Sequence, residues 1–219
     1  MLAIELNTTL IPQLKLEDTV ARALQLINDF KVTHLPVVGE QKFLGLISED
    51  DLLDADSKSI IGAIQGDLIK ASVKENAHFL EAVNISNQHQ ISVVPVINEE
   101  GELLGTITTQ SLLKMLGDFS GAHDIEGLIA LEMERSQFAI SEISRIVESN
   151  EATILHLNTL FNAESGLLSV TLHINKKELS SIVAAFERYD YIVTYYFGEE
   201  KFENEIHSNY MHLMNYLDI

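Results

Sequence analysis

The sequence predicts an α+β protein in which a tandem repeat precedes a second α+β unit. The first observation is an internal repeat: Pro36, which ends an apolar run, returns as Pro95, 59 residues later, and Gly45 returns as Gly105, 60 residues later. The second observation is a new order of apolar segments after residue 117. A repeat of this length indicates two similar units that pack on each other, so it determines the first half of the fold.

Each repeat has the order helix, strand, turn, strand and short closing helix. In repeat 1, Asp18 and Thr19 offer side-chain oxygens to the first amides of a helix, and we expect Asn76 to do so in repeat 2. Apolar residues then recur at helical spacing, and the second apolar run of each copy covers residues 43–47 and 103–107. The strands are short and apolar, so we expect the two copies to bury their sheets against each other.

This pattern resembles a tandem pair of CBS domains, named for cystathionine β-synthase. In that family a nucleotide that carries adenosine often occupies a cleft between the repeats. The family motif is Gly, two apolar residues, Ser or Thr, two variable residues and an Asp that binds the ribose hydroxyls. Repeat 1 matches at Gly45, Ser48 and Asp51. The resemblance therefore implies a ligand site in repeat 1.

Repeat 2 departs from the motif, because Ser111 stands where the Asp is expected, and we predict an empty or degenerate site there. In repeat 1 a carboxylate can accept from both ribose hydroxyls. The acids around Asp51 would repel phosphates unless a divalent cation or a basic side chain intervened; alternatively, they serve a helix N-terminus and a solvated face. The effectors that the resemblance implies are AMP, ADP, ATP and S-adenosylmethionine. The candidate ligand-binding residues are Ser48, Asp51, Thr33, His34, Pro36, Lys31 and Thr108.

Composition excludes several classes of function. The net charge is −19, with 14 basic against 33 acidic residues, which disfavours binding to nucleic acid and to acidic membrane surfaces. The absence of cysteine removes disulfides, thiolate metal sites and cysteine nucleophiles. No basic leader or long apolar run is present, so we expect a cytoplasmic protein. Phosphate loops and hydrolase or zinc-protease motifs are also missing, so we expect no enzyme activity.

The second half predicts the order βαββαβ. This order gives an antiparallel sheet with both helices on one face, the ferredoxin-like arrangement. A unit of this size and order after a CBS pair is similar to an ACT domain, the regulatory module of amino-acid metabolism, and the whole layout resembles the acetoin-utilisation accessory proteins of bacteria. ACT domains usually carry a glycine in the first strand-to-helix loop, whereas residues 134–138 here have none. The predicted elements cover residues 128–134, 138–147, 154–161, 167–174, 178–189 and 191–197.

The two middle strands of this unit predict a definite register. A loop at Glu164-Ser165 places apolar residues opposite each other on one face, and a slip by one residue would mix the faces. The same register sets His156 opposite His173. This pair could bind a transition metal if Glu132 supplied a third ligand. The alternative is a polar contact on the surface of the sheet. The predicted pairs are Leu157–Leu172, Phe161–Leu168, Leu155–Ile174, His156–His173 and Asn158–Thr171.

The boundaries follow from these patterns. We expect the tandem repeat over residues 1–117 (repeat 1 about 1–60, repeat 2 about 61–117), a linker over 118–127, the ACT-like unit over 128–198 and an amphipathic helix over 199–219. The helix packs on its own domain or clasps a second subunit. Its apolar stripe consists of Ile206, Tyr210, Leu213, Met214 and Leu217.

Two main functions fit the sequence. The first is a regulatory sensor that binds an adenosine-containing small molecule at Ser48 and Asp51 and acts on a separate, unknown protein through the geometry of a homodimer. The second is a dimerisation and interaction scaffold without a ligand. An amino-acid sensor of the ACT type and a metal-responsive module are further alternatives.

Overall fold

The computed structural model describes residues 1–64, 68–123 and 126–198, which fall into two compact units divided between Leu116 and Gly117. Each unit has its own apolar core. The predicted helix over 199–219 lies outside the described residues. Within the described ranges, the helices are all too short or too polar to cross a membrane.

The first unit contains two copies of one supersecondary motif. Each copy has a three-stranded sheet in which the first strand runs parallel and the third antiparallel to the middle strand. Repeat 1 consists of α1 (Ala3–Leu6), β1 (Leu14–Lys15), α2 (Val20–Phe30), β2 (His34–Gly39), β3 (Lys42–Ser48) and α3 (Glu49–Leu53). Repeat 2 consists of a 3-10 turn (Ile61–Ala63), β4 (Val73–Lys74), α4 (Phe79–His89), β5 (Val93–Ile97), β6 (Leu103–Thr108) and α5 (Thr109–Ser120).

The helix starts agree with the sequence in repeat 1 but not in repeat 2. Thr19 caps α2, because its side chain accepts from the Arg22 amide at 3.3 Å. The prediction for Asn76 is wrong: α4 begins at Phe79, and its cap is His78. Asn76 lies two residues too early to reach the first amides, since a cap must directly precede the first helical residue.

The two motif glycines allow a neighbouring segment to approach each sheet closely. Gly45 and Gly105 have φ of +155° and +154°, a conformation that favours glycine. A Cβ at Gly45 would lie 2.7 Å from the Leu68 Cβ, and one at Gly105 would lie 2.5 Å from Asn7 Oδ1. The glycines therefore allow the third strand of each repeat to lie against the segment that leads into the first strand of the other repeat.

Helix α5 runs to Ser120, three residues into the predicted linker. Gly117 does not end the helix, because a glycine in a helix interior costs only about 1 kcal/mol relative to alanine. A Cβ at Gly117 would meet nothing within 4 Å.

The second unit has the predicted order of elements. Its sheet order β10-β7-β9-β8, antiparallel throughout, is the ferredoxin-like arrangement, and the prediction of this topology is confirmed. The elements are β7 (Gly127–Met133), α6 (Ile140–Glu148), β8 (Ile154–Phe161), β9 (Leu168–Ile174), α7 (Ser180–Arg188) and β10 (Ile192–Phe197). Along β7 and β9, every second side chain is buried in the core. The side chains between them lie on the opposite face of the sheet, which is more open.

The predicted register of β8 and β9 is confirmed over most of its length. Four of the predicted pairs are present, including His156 opposite His173. The pairing of Leu155 with Ile174 is wrong, because a bulge between Ile154 and His156 places Ile154 opposite Ile174 instead. Leu155 is the extra residue of that bulge and is 60% exposed.

Candidate functional site

The site predicted in repeat 1 is built where β3 turns into α3. Ser48 ends the strand with extended backbone, and its hydroxyl oxygen accepts from the Asp51 amide at 3.1 Å. The same hydroxyl donates to Asp51 Oδ2 at 2.5 Å, and the Ser48 amide donates to that oxygen at 3.4 Å. This reciprocal arrangement is a capping box, which satisfies the first amides of a helix. The local fold thus fixes the Asp51 carboxylate beside Ser48.

The Asp51 carboxylate retains capacity for further donors. Both hydrogen bonds from Ser48 reach Oδ2, whereas an ionised carboxylate offers about four lone-pair directions. Asp51 and Ser48 are both half-buried, so the pair is open to a small molecule while it is partly shielded from water. A vicinal diol is a chemical partner for such a carboxylate, because its two hydroxyls can donate to the two oxygens.

His34 lies directly opposite Ser48 in the antiparallel pair of β2 and β3. Its side chain is buried, and Nδ1 lies 2.9 Å from Thr33 Oγ1 and 3.4 Å from both the amide and the hydroxyl of Ser92. Burial lowers the pKa of His34 below its usual value, although the charges of Asp51 and Asp50 oppose that change. Its position opposite Ser48, the partner of Asp51, places His34 beside the same polar cluster.

Repeat 2 reproduces this geometry with different chemistry. Thr108 Oγ1 lies 2.9 Å from Ser111 Oγ and accepts from the Ser111 amide at 3.1 Å, as Ser48 does with Asp51. The residue opposite Thr108 is Val93, where repeat 1 has His34. We call the junction between the third strand and the following helix the corner of each repeat, at Ser48–Asp51 in repeat 1 and Thr108–Ser111 in repeat 2. The corner of repeat 2 therefore lacks both the carboxylate and the imidazole.

Of the remaining predicted site residues, some lie near Ser48 and His34 and others do not. Thr33 joins the His34 cluster through its hydroxyl. Pro36 is buried in β2 opposite Leu46, where it can offer apolar contact. Lys31 ends α2 in a left-handed conformation, and its ammonium donates to Asn28 Oδ1 at 3.0 Å, so it does not contact Asp51. Thr108 belongs to the corresponding corner of repeat 2.

Sequence reasoning missed Ser92, which connects the two repeats. The Thr33 amide donates to Ser92 Oγ at 2.9 Å. The repeat offset of 59 residues relates Thr33 to Ser92, so the signal was present in the sequence. These two residues border an open surface pocket of about 390 Å³. The pocket is lined by Thr33, Ser86, Asn87, Gln90, Ile91, Ser92 and Thr109.

The histidine pair of the second unit is formed without the proposed third ligand. The rings of His156 and His173 lie 5.7 Å apart, and burial and the neighbouring His156 lower the pKa of His173. Glu132 pairs with Ser169, four residues along β9 from His173, and is therefore about 13 Å away. Glu132 therefore does not supply the third ligand that the metal alternative requires. In the part of the chain that the structure describes, no three His, Asp or Glu side chains group closely enough to hold a metal.

Comparisons with known proteins agree with the repeat. The CBS domain family matches residues 5–58 and 66–118. An inosine-5'-monophosphate dehydrogenase from Methanocaldococcus jannaschii is 27% identical over 114 residues, which are 51% of this chain and 23% of that protein. A homoserine O-acetyltransferase from Methanobrevibacter ruminantium is 31% identical over 123 residues, which are 52% of this chain and 24% of that protein. The chain spans about a quarter of the length of either relative.

Solved structures also resemble the first part of this chain. A CBS domain pair/ACT domain protein from Thermotoga maritima is 24% identical with a TM-score of 0.51, and the match covers 54% of this chain and 98% of that one. A likeness at this identity supports the fold of the matched part. Together with the two family matches and the duplicated corners at Ser48 and Thr108, it shows that the first unit of this chain is a tandem pair of CBS domains.

Proposed function

We propose that this protein is a non-catalytic regulatory sensor whose CBS pair binds an adenosine-containing small molecule in repeat 1. CBS pairs are regulatory nucleotide-binding modules in other proteins. The observation that carries the proposal is the Ser48–Asp51 pair beside His34, because a half-buried carboxylate held by the fold suits a ribose diol. The residues that we assign to the ligand are Ser48, Asp51, Thr33, His34 and Pro36, with lesser roles for Lys31 and Thr108.

Electrostatics narrow the class of ligand. Five acids lie within residues 49–56, so a polyphosphate would meet like charge there. Because the Lys31 ammonium is held by Asn28, it does not offset that charge. We therefore expect AMP or the cationic S-adenosylmethionine to bind better than ADP or ATP, and we expect Mg²⁺ to strengthen the binding of ATP.

Regulation requires a second conformation and a target. We propose that the protein is a homodimer and that the ligand favours one dimer geometry, which a separate protein recognises. A ligand shifts such an equilibrium only by its differential affinity for the two states. The second unit is proposed to be an ACT-like domain, on the basis of its βαββαβ order and sheet order.

Thermal unfolding in the presence of ligands tests the proposal. The full chain is heated with AMP, ADP, ATP with and without Mg²⁺, S-adenosylmethionine and a panel of amino acids. Binding to the native state raises the midpoint. We expect a rise with AMP or S-adenosylmethionine that disappears in Asp51→Ala. Asp50→Ala is the matched control, because it removes the same charge from an exposed neighbour and should keep the rise.

A scaffold without a ligand is the second candidate. The observation in its favour is that Ser48 and Asp51 already satisfy each other, so the corner is stable without a bound molecule. Ser111 in repeat 2 has the same self-contained arrangement. No rise with any compound would favour this scaffold, and a rise with amino acids alone would assign the function to the ACT-like unit.

A further inference from the structure

The second unit has a surface pocket of about 370 Å³, which lies where the C-terminal ends of α6 and α7 meet. The floor of this pocket is apolar, because Ile146 and Ala185 are buried. Its rim is exposed and polar, and it includes Arg145 and Arg188. All the described residues that line the pocket belong to the second unit, so it is a different site from the one in repeat 1.

The charge of this pocket is opposite to that of the whole chain. The sequence has 33 acidic against 14 basic residues, and only four of the basic residues are arginines. Two of these four, Arg145 and Arg188, line the pocket, and its described lining contains no aspartate or glutamate. Two guanidinium groups at one pocket favour an oxyanion, because their planar forks match the geometry of carboxylate and phosphate groups.

Arg145 is held in place by its neighbours. Its guanidinium carbon lies 5.1 Å from the centre of the Tyr189 ring, and its Nη2 lies 3.5 Å from Glu142 Oε1. The other carboxylate oxygen of Glu142 accepts from the Tyr191 hydroxyl at 3.0 Å, so Glu142 is itself fixed. A guanidinium group that is already stacked and anchored loses little conformational freedom when a ligand binds, which favours affinity.

Arg188 supplies the positive charge that is not compensated. Its Nε donates to the Ala184 carbonyl at 3.3 Å, which leaves both Nη groups for a ligand. Among the residues that the structure describes, no carboxylate is close enough to form an ion pair with Arg188, whereas Arg145 shares its charge with Glu142. The two arginines therefore keep a net positive charge at the rim.

The carbonyl groups at the helix ends are already occupied. Free carbonyls at a helix C-terminus would disfavour an anion. Here the Ile146 carbonyl accepts from the Asn150 side-chain amide at 2.8 Å, and the Ala185 carbonyl accepts from the Tyr189 amide at 3.2 Å. Ser149 adds a hydroxyl to the rim. The rim thus offers an oxyanion donors from two guanidinium groups and one hydroxyl.

We propose that this pocket binds a small molecule that carries a phosphate or carboxylate group. The oxyanion is held by the guanidinium groups of Arg145 and Arg188, and the apolar body of the molecule lies on Ile146 and Ala185. An apolar floor with a few polar groups at its edge is typical of small-molecule sites. The second unit then has a ligand of its own, independent of the nucleotide proposed for repeat 1.

Nuclear magnetic resonance titration of the full chain tests this proposal. Phenyl phosphate and benzoate are the probes, because each joins one oxyanion to an apolar ring and the two distinguish phosphate from carboxylate. Each probe is added at constant ionic strength, and the amide signals of residues 145–150 and 185–189 are followed. The variants are Arg188→Gln, Arg145→Gln and the matched control Arg135→Gln, which removes the same charge from an exposed residue outside the pocket.

We expect saturable shifts of these signals with at least one probe, in the wild type and in Arg135→Gln alike. The affinity should fall by about tenfold or more in Arg188→Gln and in Arg145→Gln, as expected for lost charge-assisted hydrogen bonds. Equal affinities in Arg188→Gln and Arg135→Gln would overturn the proposal, and so would the absence of saturable shifts with both probes. Shifts confined to the first unit would place the anions elsewhere and would also overturn it.

Discussion

The Ser48 hydroxyl lies 2.5 Å from Asp51 Oδ2, while the Asp51 amide donates back to the same hydroxyl oxygen at 3.1 Å. The pair thus has a structural role at the start of α3 before any ligand is considered. In repeat 2, Thr108 and Ser111 keep this structural role without a carboxylate. The hydroxyl cap, which both repeats have, is therefore what the fold requires. The carboxylate, which only repeat 1 has, is what a ligand would require.

Replacement of Ser48 by alanine should destabilise the first unit by about 1 kcal/mol, since alanine cannot accept from the first helical amides. Ser57→Ala is the control, because Ser57 is exposed and caps no helix of the described chain. Urea unfolding followed by far-UV circular dichroism gives both values. Equal effects of the two substitutions would argue against a capping role for Ser48.

Glycine-to-alanine substitutions should have opposite effects on the free energy of unfolding at Gly45 and Gly117. Gly45→Ala should destabilise by more than 1 kcal/mol, because its φ of +155° is strained for alanine and the new Cβ would lie 2.7 Å from the Leu68 Cβ. Gly117→Ala should stabilise by about 0.5–1 kcal/mol, since its site in α5 is open. Thermal or urea unfolding of both variants measures the signs. A neutral Gly45→Ala would show that the close approach to residue 68 is not required.

His34 should make the first unit less stable in mild acid. Burial lowers its pKa in the folded protein, so as the pH falls below about 6.5 the unfolded chain takes up a proton first and stability decreases. The decrease ends once the pH is below the folded pKa. His34→Val, which copies Val93 of repeat 2, should therefore reduce the difference in unfolding free energy between pH 7.5 and 5.5.

The tyrosines allow this effect to be assigned to one unit. All six tyrosines of the chain lie in residues 189–216, so tyrosine fluorescence reports on the second half and circular dichroism on both. The effect of His34→Val should appear only in the dichroism transition. His89→Gln, at an exposed position, serves as the control. A variant with the same pH dependence as the wild type would contradict the role of His34.

Tyr191→Phe should destabilise the second unit by about 1–2 kcal/mol near neutral pH, because the Tyr191 hydroxyl donates to Glu142 at 3.0 Å. Burial and this carboxylate raise the pKa of Tyr191 to about 12. The unfolded tyrosine ionises near pH 10, so wild-type stability falls between about pH 10 and 12 as the unfolded state loses its proton first.

The variant lacks this ionisation, so the stability difference between wild type and Tyr191→Phe should shrink over that pH range. Urea unfolding followed by the fluorescence of the remaining tyrosines measures it. A constant difference from pH 9 to 11.5 would show that the hydroxyl is not held as the structure indicates.

Patterns that repeat were predictable from the sequence, and single departures from them were not. The alternation of β8 and β9 determined which residues face each other, because the side-chain period of a strand is two. The bulge at Leu155 interrupts that period by one residue, and local sequence does not mark it. His78 replaces Asn76 as a cap because the helix starts two residues later, a boundary that packing decides.

The candidate site was predictable to a similar extent. The motif spacing identified Ser48 and Asp51, and three-residue separation alone places them on one helical turn. Ser92 was missed because its contact with Thr33 spans 59 residues and depends on how the two sheets meet. The metal alternative with Glu132 could not be tested from the sequence, since strand order alone does not give the distance of Glu132 from His173 along the sheet.

Isothermal titration calorimetry with AMP tests the central claim most directly, with the wild type, Asp51→Asn and Asp50→Asn compared under the same conditions. We predict one AMP per chain in the wild type and in Asp50→Asn. In Asp51→Asn, which keeps the shape but loses the charge, affinity should fall by about 10–100-fold, as expected for a lost charge-assisted hydrogen bond. Equal affinities in all three proteins, or no binding of AMP to the wild type, would contradict the assignment of Asp51 as the ribose contact.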